Sequence, residues 1–284
     1  MISITGLFVY PVKSLKGISL NSVKTGLRGF EFDREWMITD SEYQFITQRQ
    51  IEKMAIISVA IDSSTLTLSA NGYKSLFINL NGKRDKMVNA TVWDDRCEAY
   101  DEGENASNWL TKVLGKYGNK SLKLVRFSQN EVRPVPSEFL NQEEAQSAFS
   151  DQFPYLITSK ESLDYLNENL KLKGCQEVTM DRFRANIVIK GLGEIEQKTN
   201  FDLTAKEDGY HFGLRKPCKR CKITTINQKT AEISEPKEPL ATLTDLALSD
   251  EIKGAFFGQN AIYLSTENRT IKVGDCLTLN KAEK

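Results

Sequence analysis

Two Asn-Gly pairs, Asn71-Gly72 and Asn81-Gly82, fall among short runs rich in β-branched and aromatic residues. That pattern is the strongest constraint on the fold. Asn and Gly tolerate the left-handed backbone that tight hairpin turns require, so the runs around them are expected to pair as antiparallel strands. The runs are "ISITGLFVY", "KMAIISVAI", "STLTLSA" and "SLFINL", and "KMVNATVWDDRCEAY" reads as two more strands around an Asp-Asp turn.

Helical spacing is scarcer. "ENASNWLTKVLGKYG" places Leu110, Val113, Leu114 and Tyr117 on one face, with Asn105 or Ser107 as the cap. "SLKLVRF" returns to strand, and a polar segment over 128–150 follows, so the domain transition is expected near 120–130. "TSKESLDYLNENLK" pairs Thr158 with Glu161 as a capping box and aligns Leu163, Leu166 and Leu170. "NIVIKG", "CKITTIN", "AIYLS" and "IKVGDCLTLN" again read as strands. The alternating βαβα pattern of a doubly wound sheet is missing, as are G-x-G-x-x-G and Walker loops. The fold class expected is mostly β (α+β), with a few peripheral helices.

Charge narrows the partners. Lys+Arg and Asp+Glu both number 38 in 284 residues, so no global basic field favours nucleic acid or anionic lipid. No window reaches the roughly 20 apolar residues of a membrane span, and the N-terminus lacks the pattern of a signal peptide. A cytoplasmic protein is expected. Five scattered cysteines argue against a disulfide framework, so reduced thiols are expected.

Two of those cysteines, Cys218 and Cys221, form C-x-x-C within "HFGLRKPCKRCKITTINQKT", among Lys216, Lys219, Arg220 and Lys222 and downstream of the only histidine, His211. A structural zinc site needs four ligands, and Cys97, Cys175 and Cys276 are isolated in sequence. A thioredoxin-type dithiol needs a helix after the motif, whereas "KITTI" reads as a strand. Packing of two small side chains at a strand start remains open. On an extended strand Cys218 and Cys221 would face opposite sides. The basic neighbours favour a thiolate and an oxyanion or phosphate ligand. Further basic-polar knots lie at Lys13-Ser14, Arg34, Arg49, and the stretch holding Arg182, Arg184 and Asn186. Together they suggest a phosphate-bearing ligand gripped by several segments, with one thiolate nearby.

The segments "LFVYPVKSLKG", "DREWMITD", "FITQRQ", "DRFRANIVI", "PCKRCKITTIN" and "IKVGD", in that order, resemble the MOSC family with its N-terminal β-barrel domain. The similarity runs from about residue 3 to 280 and is nearest to the amidoxime-reducing components and the bacterial N-hydroxylated-base reductases. It implies two β-barrel-like domains, 1–122 and 123–284, with a molybdenum cofactor (molybdopterin) in the cleft between them. It further implies that Cys221 is the protein's molybdenum ligand and that Asp151 lies near the metal as a second catalytic residue. Lys13, Ser14, Arg34, Arg182, Arg184, Asn186, Lys219 and Arg220 fall at its cofactor-binding positions. Lys219 replaces a small hydroxyl residue, and Gln152 and Phe153 replace small polar ones.

The activity implied is two-electron reduction of N-hydroxylated compounds: hydroxylamines, amidoximes or N-hydroxy bases. No iron–sulfur cysteine signature is present, so electrons are expected from a separate ferredoxin, flavodoxin or cytochrome-type protein. The alternative is a non-enzymatic carrier of the molybdenum cofactor or its sulfur.

Overall fold

A computed structural model describes residues 1–207, 209–248 and 252–282. The first half supplies β1 (Ile2–Val9), β2 (Ile18–Leu20), β3 (Ser22–Lys24), β4 (Trp36–Asp40), β5 (Ser58–Ile61), β6 (Thr65–Ser69), β7 (Leu76–Asn79), β8 (Met87–Val92), β9 (Asp95–Asp101), α1 (Glu104–Leu114) and β10 (Leu122–Phe127). The second supplies β11 (Tyr155–Ser159), α2 (Lys160–Leu172), β12 (Ile187–Lys190), β13 (Phe201–Ala205), β14 (His211–Lys219), α3 (Leu240–Asp245), β15 (Phe256–Tyr263), β16 (Thr270–Lys272) and β17 (Cys276–Lys281). The fold is mostly β, as expected.

Seven strands close a barrel in the order β12-β11-β15-β14-β13-β17-β1, with β1 pairing back to β12. Closure leaves these strands few free edges. Its first strand comes from the extreme N-terminus: Leu7 pairs with Ile187 and Ile2 with Leu277. A register shift between Ile4 and Gly6 resets the alternation of β1, so that Ile4, Leu7 and Val9 all face the interior. They meet Tyr155, Ile157, Ile189, Leu203, Phe212 and Leu214 there. All pairings are antiparallel except β11 with β12, which α2 separates in sequence.

The second body joins a four-stranded sheet, β4-β10-β9-β8, to the meander β5-β6-β7. Trp36, Ile38, Leu66, Leu68, Leu122 and Leu124 form its core, and α1 adds Ala106 and Leu110.

Local expectations needed correction. The start of "KMAIISVAI" is a 3₁₀ turn over Glu52–Ile56, and only Ser58–Ile61 is strand. The hairpin between β8 and β9 turns on Trp93-Asp94, because Val92 pairs with Asp95. Helix α1 starts after Gly103, with no side-chain cap, and Tyr117 lies beyond its end and is exposed. Helix α2 is capped by Ser159, whose Oγ accepts from Ser162 N at 3.0 Å, one residue after the expected Thr158.

"KITT" is a 3₁₀ helix over Lys222–Thr225, not a strand. Thr224 Oγ1 donates to Cys221 O at 3.0 Å and Thr225 Oγ1 to Lys222 O at 2.8 Å, and such local bonds compete with strand pairing.

Candidate functional site

A cleft of about 800 Å³, open mouth included, lies where the barrel meets the second body. It is bordered by Lys13, Ser14, Arg34, Asp151, Arg184, Asn186, Lys219, Arg220 and Cys221, all anticipated from the sequence. Arg182 stands apart from the cleft wall. Its Nη1 donates to Thr225 O at 3.0 Å and Thr224 O at 3.3 Å, pinning the turn that follows Cys221.

Two guanidiniums form the cationic end. Arg34 lies just before β4, and Arg184 just before β12. Both stack on Tyr10, at 4.3 and 4.4 Å from its ring centroid. Arg34 is committed to protein partners. Its Nη1 donates to Asp33 Oδ2 at 2.5 Å and to Asn186 Oδ1 at 3.0 Å, and its Nη2 to Arg184 O at 3.0 Å. Asn186 also accepts from Leu156 N at 3.2 Å and donates to Phe8 O, so it fixes Arg34 to the barrel strands.

Arg184 is different. Its Nη2 is buried and has no hydrogen-bond partner among the described residues. Burial pulls its pKa down to about 10, so it stays cationic at neutral pH. The Tyr10 hydroxyl, buried beside it, is pushed up to about 12. Ser14, Arg34 and Arg184 all adopt left-handed backbone, with φ of 68°, 51° and 56°. For non-glycine residues that conformation is costly, and it concentrates where surrounding structure fixes a functional geometry.

The cysteine loop closes the opposite wall. Register shifts between Leu214 and Lys216 and between Pro217 and Lys219 break the alternation of β14. The strand ends at Lys219, and both Cys218 and Cys221 border the cleft. The alternation argument for these two cysteines does not apply, because it required an unbroken strand. Cys218 also packs against Leu156, Ala185 and Val188. Arg220 Nη1 donates to Cys218 Sγ at 3.0 Å, and Arg49 Nη1 to Cys221 Sγ at 3.7 Å. Arg220 Nη2 holds Phe183 O at 2.8 Å, while its buried Nε has no partner among the described residues.

His211 sits at the far end of β14, where its Nδ1 lies 3.1 Å from Thr204 Oγ1. Among the described residues no three His, Cys, Asp or Glu side chains are grouped closely enough to hold a metal by themselves. No helix among them is long and apolar enough to cross a membrane.

Asp151 occupies the third wall. Two-thirds of its side-chain surface opens onto the cleft, yet cleft residues surround it. Its Oδ1 accepts from Lys13 Nζ at 2.6 Å and from Trp93 Nε1 at 3.1 Å. Desolvation would push the carboxyl up, but Lys13, Trp93 and Arg49 outweigh it and hold Asp151 well below the usual carboxylate range. Burial lowers the pKa of Lys13, partly offset by Asp151.

The Asp151 loop is itself held by Arg133. Its guanidinium donates to Ala148 O at 3.0 Å, Ser150 O at 2.6 Å and Asp151 O at 2.8 Å. Sequence reasoning passed over Arg133 and Trp93. They carry no motif; one lies in a polar segment and the other at a hairpin tip.

These features can be set against a ligand. Ser150 Oγ, Arg184 Nη2 and Arg220 Nε are three of the six buried side-chain polar atoms without a partner among the described residues, and all three residues border this cleft. Burying guanidinium N–H groups unpaired is costly. A ligand rich in anionic oxygen that reaches both arginines would satisfy them, and a half-buried thiol suits a thiophilic metal. The residues present fit a phosphate-bearing metal cofactor.

Comparisons with known proteins agree. The model of the MOSC N-terminal β-barrel domain matches residues 1–117, and that of the MOSC domain matches 144–278. The human protein named mitochondrial amidoxime-reducing component 1 is 32% identical, over 96% of this chain and 81% of its own length. Its mouse counterpart is 31% identical over the same shares. The chain belongs to the MOSC family. Cattle molybdenum cofactor sulfurase is 26% identical, over 81% of this chain but only 27% of its own length. The MOSC cleft is assembled from both matched regions. Lys13, Ser14, Arg34 and Arg49 come from the first, and Asp151, Arg184, Asn186 and Cys221 from the second.

Proposed function

We propose that this MOSC protein is a molybdenum-cofactor-dependent oxidoreductase. It reduces N-hydroxylated compounds, such as hydroxylamines, amidoximes and N-hydroxy bases, with electrons from a separate ferredoxin, flavodoxin or cytochrome-type protein. The observation that carries this reading is the pair of unpartnered guanidinium N–H groups, on Arg184 and Arg220, sharing one cleft with the Cys221 thiol. The similarity to amidoxime-reducing components supports it.

In this reading the cofactor supplies the two-electron chemistry. Cys221 is its protein ligand. Arg184 and Arg220 grip it with N–H groups that have no partner among the described residues, and Lys13, Ser14 and Lys219 line its bed. Arg34, Asn186 and Arg182 hold that bed in place through the contacts described above. Asp151, kept ionised by Lys13, accepts an N–H of the substrate and orients it. Lys13, bonded to Asp151 and lowered in pKa by burial, is the better placed proton donor for the departing oxygen.

The likeness to a cofactor sulfurase favours a second reading, a carrier of the cofactor or its sulfur. One experiment separates them. Protein from a host with intact molybdopterin synthesis is analysed for metal, then assayed with an amidoxime and a chemical reductant. Molybdenum with turnover is expected. Molybdenum without turnover favours the carrier, and zinc without molybdenum overturns both.

A further inference from the structure

The hairpin tip of the second body touches Asp151 directly and reaches Cys221 through Arg49. Trp93 sits there in left-handed backbone, with φ of 56°. Its ring lies 4.3 Å from the Arg49 guanidinium carbon and 5.2 Å from the Phe45 ring. Its Nε1 donates to Asp151 Oδ1 at 3.1 Å. Arg49 in turn donates to Cys221 Sγ at 3.7 Å and has no carboxylate at ion-pair distance among the described residues. A strained aromatic residue left 44% exposed would not be held at this spot by burial alone.

We propose that Trp93 is a positioning residue, which holds the Arg49 guanidinium against the Cys221 sulfur and the Asp151 carboxylate against Lys13. Arg49 is thereby a fixed cationic hydrogen-bond donor to the thiolate that ligates the metal. This rests on the assignment of Cys221 as ligand under the proposed function. A donor to a ligating sulfur draws electron density from the metal and favours its reduced state, as hydrogen bonds to sulfur do at other redox centres. The second body therefore sets the potential of a centre whose ligand belongs to the barrel.

The test uses molybdenum-loaded wild type, Arg49→Gln, Trp93→Leu and Trp93→Phe, with the molybdenum midpoint potential followed by electron paramagnetic resonance. Arg49→Gln and Trp93→Leu are expected to shift the midpoint to more negative values. Trp93→Phe keeps a ring beneath Arg49 and is expected to stay near wild type. Unmoved midpoints in Arg49→Gln and Trp93→Leu, with normal molybdenum content, overturn the proposal. In cofactor-free protein the indole Nε1–H resonance of Trp93, assigned by its loss in Trp93→Phe, is expected to move in Asp151→Asn. An unmoved resonance also overturns it. Wild type without molybdenum defeats the proposed function instead, and the indole resonance still decides whether Trp93 holds Asp151.

Discussion

The side-chain amides of Gln48 and Gln228, 180 positions apart, exchange two buried hydrogen bonds of 3.0 and 2.9 Å. Gln48 Nε2 also donates to Ser14 O at 2.7 Å. This pair ties the second body to the segment that follows Cys221, beside the cleft. Replacing one partner strands the other. Gln48→Leu and Gln228→Leu should each cost about 1–3 kcal/mol of stability, the usual penalty for an unsatisfied buried polar group. The double variant should cost less than the sum. Urea unfolding of the cofactor-free proteins measures this, and strict additivity would show the pair to be uncoupled.

Arg34 and Arg184 share the Tyr10 ring but should respond differently to substitution. Lysine keeps the charge and loses the fork. In Arg184→Lys the lost Nη2 has no partner among the described residues, so the cofactor-free melting temperature should stay near wild type while cofactor retention falls. In Arg34→Lys the bonds to Asn186 and Arg184 O are lost, so retention and melting temperature should both fall. Pterin content per chain and thermal unfolding test this. Normal retention in both variants would place the cofactor elsewhere.

On the proposed function, Cys221→Ala should abolish N-hydroxy reduction, because it removes the proposed protein ligand of the metal. Cys218→Ala should keep most activity and cost on the order of 1–2 kcal/mol, as expected for a small, partly buried side chain. Turnover of an amidoxime with a chemical reductant compares them. Equal loss in both would point to a dithiol or a two-cysteine metal site.

Asp151 gives the protein a defined acid response. Its folded carboxyl pKa lies below the unfolded value of about 4, so the unfolded chain takes up that proton first as pH falls. The stabilising contribution is complete above about pH 4 and is lost as pH falls through the folded value. Asp151→Asn also leaves the Lys13 cation without its counter-charge at neutral pH. The stability gap between wild type and Asp151→Asn should therefore narrow on acidification below about pH 4. A gap independent of pH would show that the ionic contact is not maintained in solution.

Much of the fold was legible because its cause is local. β-branched runs punctuated by Asn-Gly pairs gave β6, β7 and their neighbours, and leucine spacing gave α2. Errors arose where a nearby side chain outbid propensity. Thr224 and Thr225 read as strand formers, but their hydroxyls bond back to the chain and Arg182 holds their carbonyls. Cys218 and Cys221 followed the alternation rule only on paper, because two register shifts in β14 intervene.

The chemistry of the cleft was visible in the sequence, since thiol, guanidinium and carboxylate are properties of residue type and the spacing around Cys221 resembles a known family. What each group does there was decided by the tertiary structure. Strand β1, at the start of the chain, closes a barrel otherwise built from residues 155–281, and this brings Lys13 and Arg34 against Asp151 and Asn186. Only then do Arg34, with both Nη atoms bonded to protein, and Arg184, whose Nη2 has no partner among the described residues, become different. Hydrogen-bond saturation belongs to a set of residues brought together across the chain, and local sequence cannot specify which donor will be left without a partner.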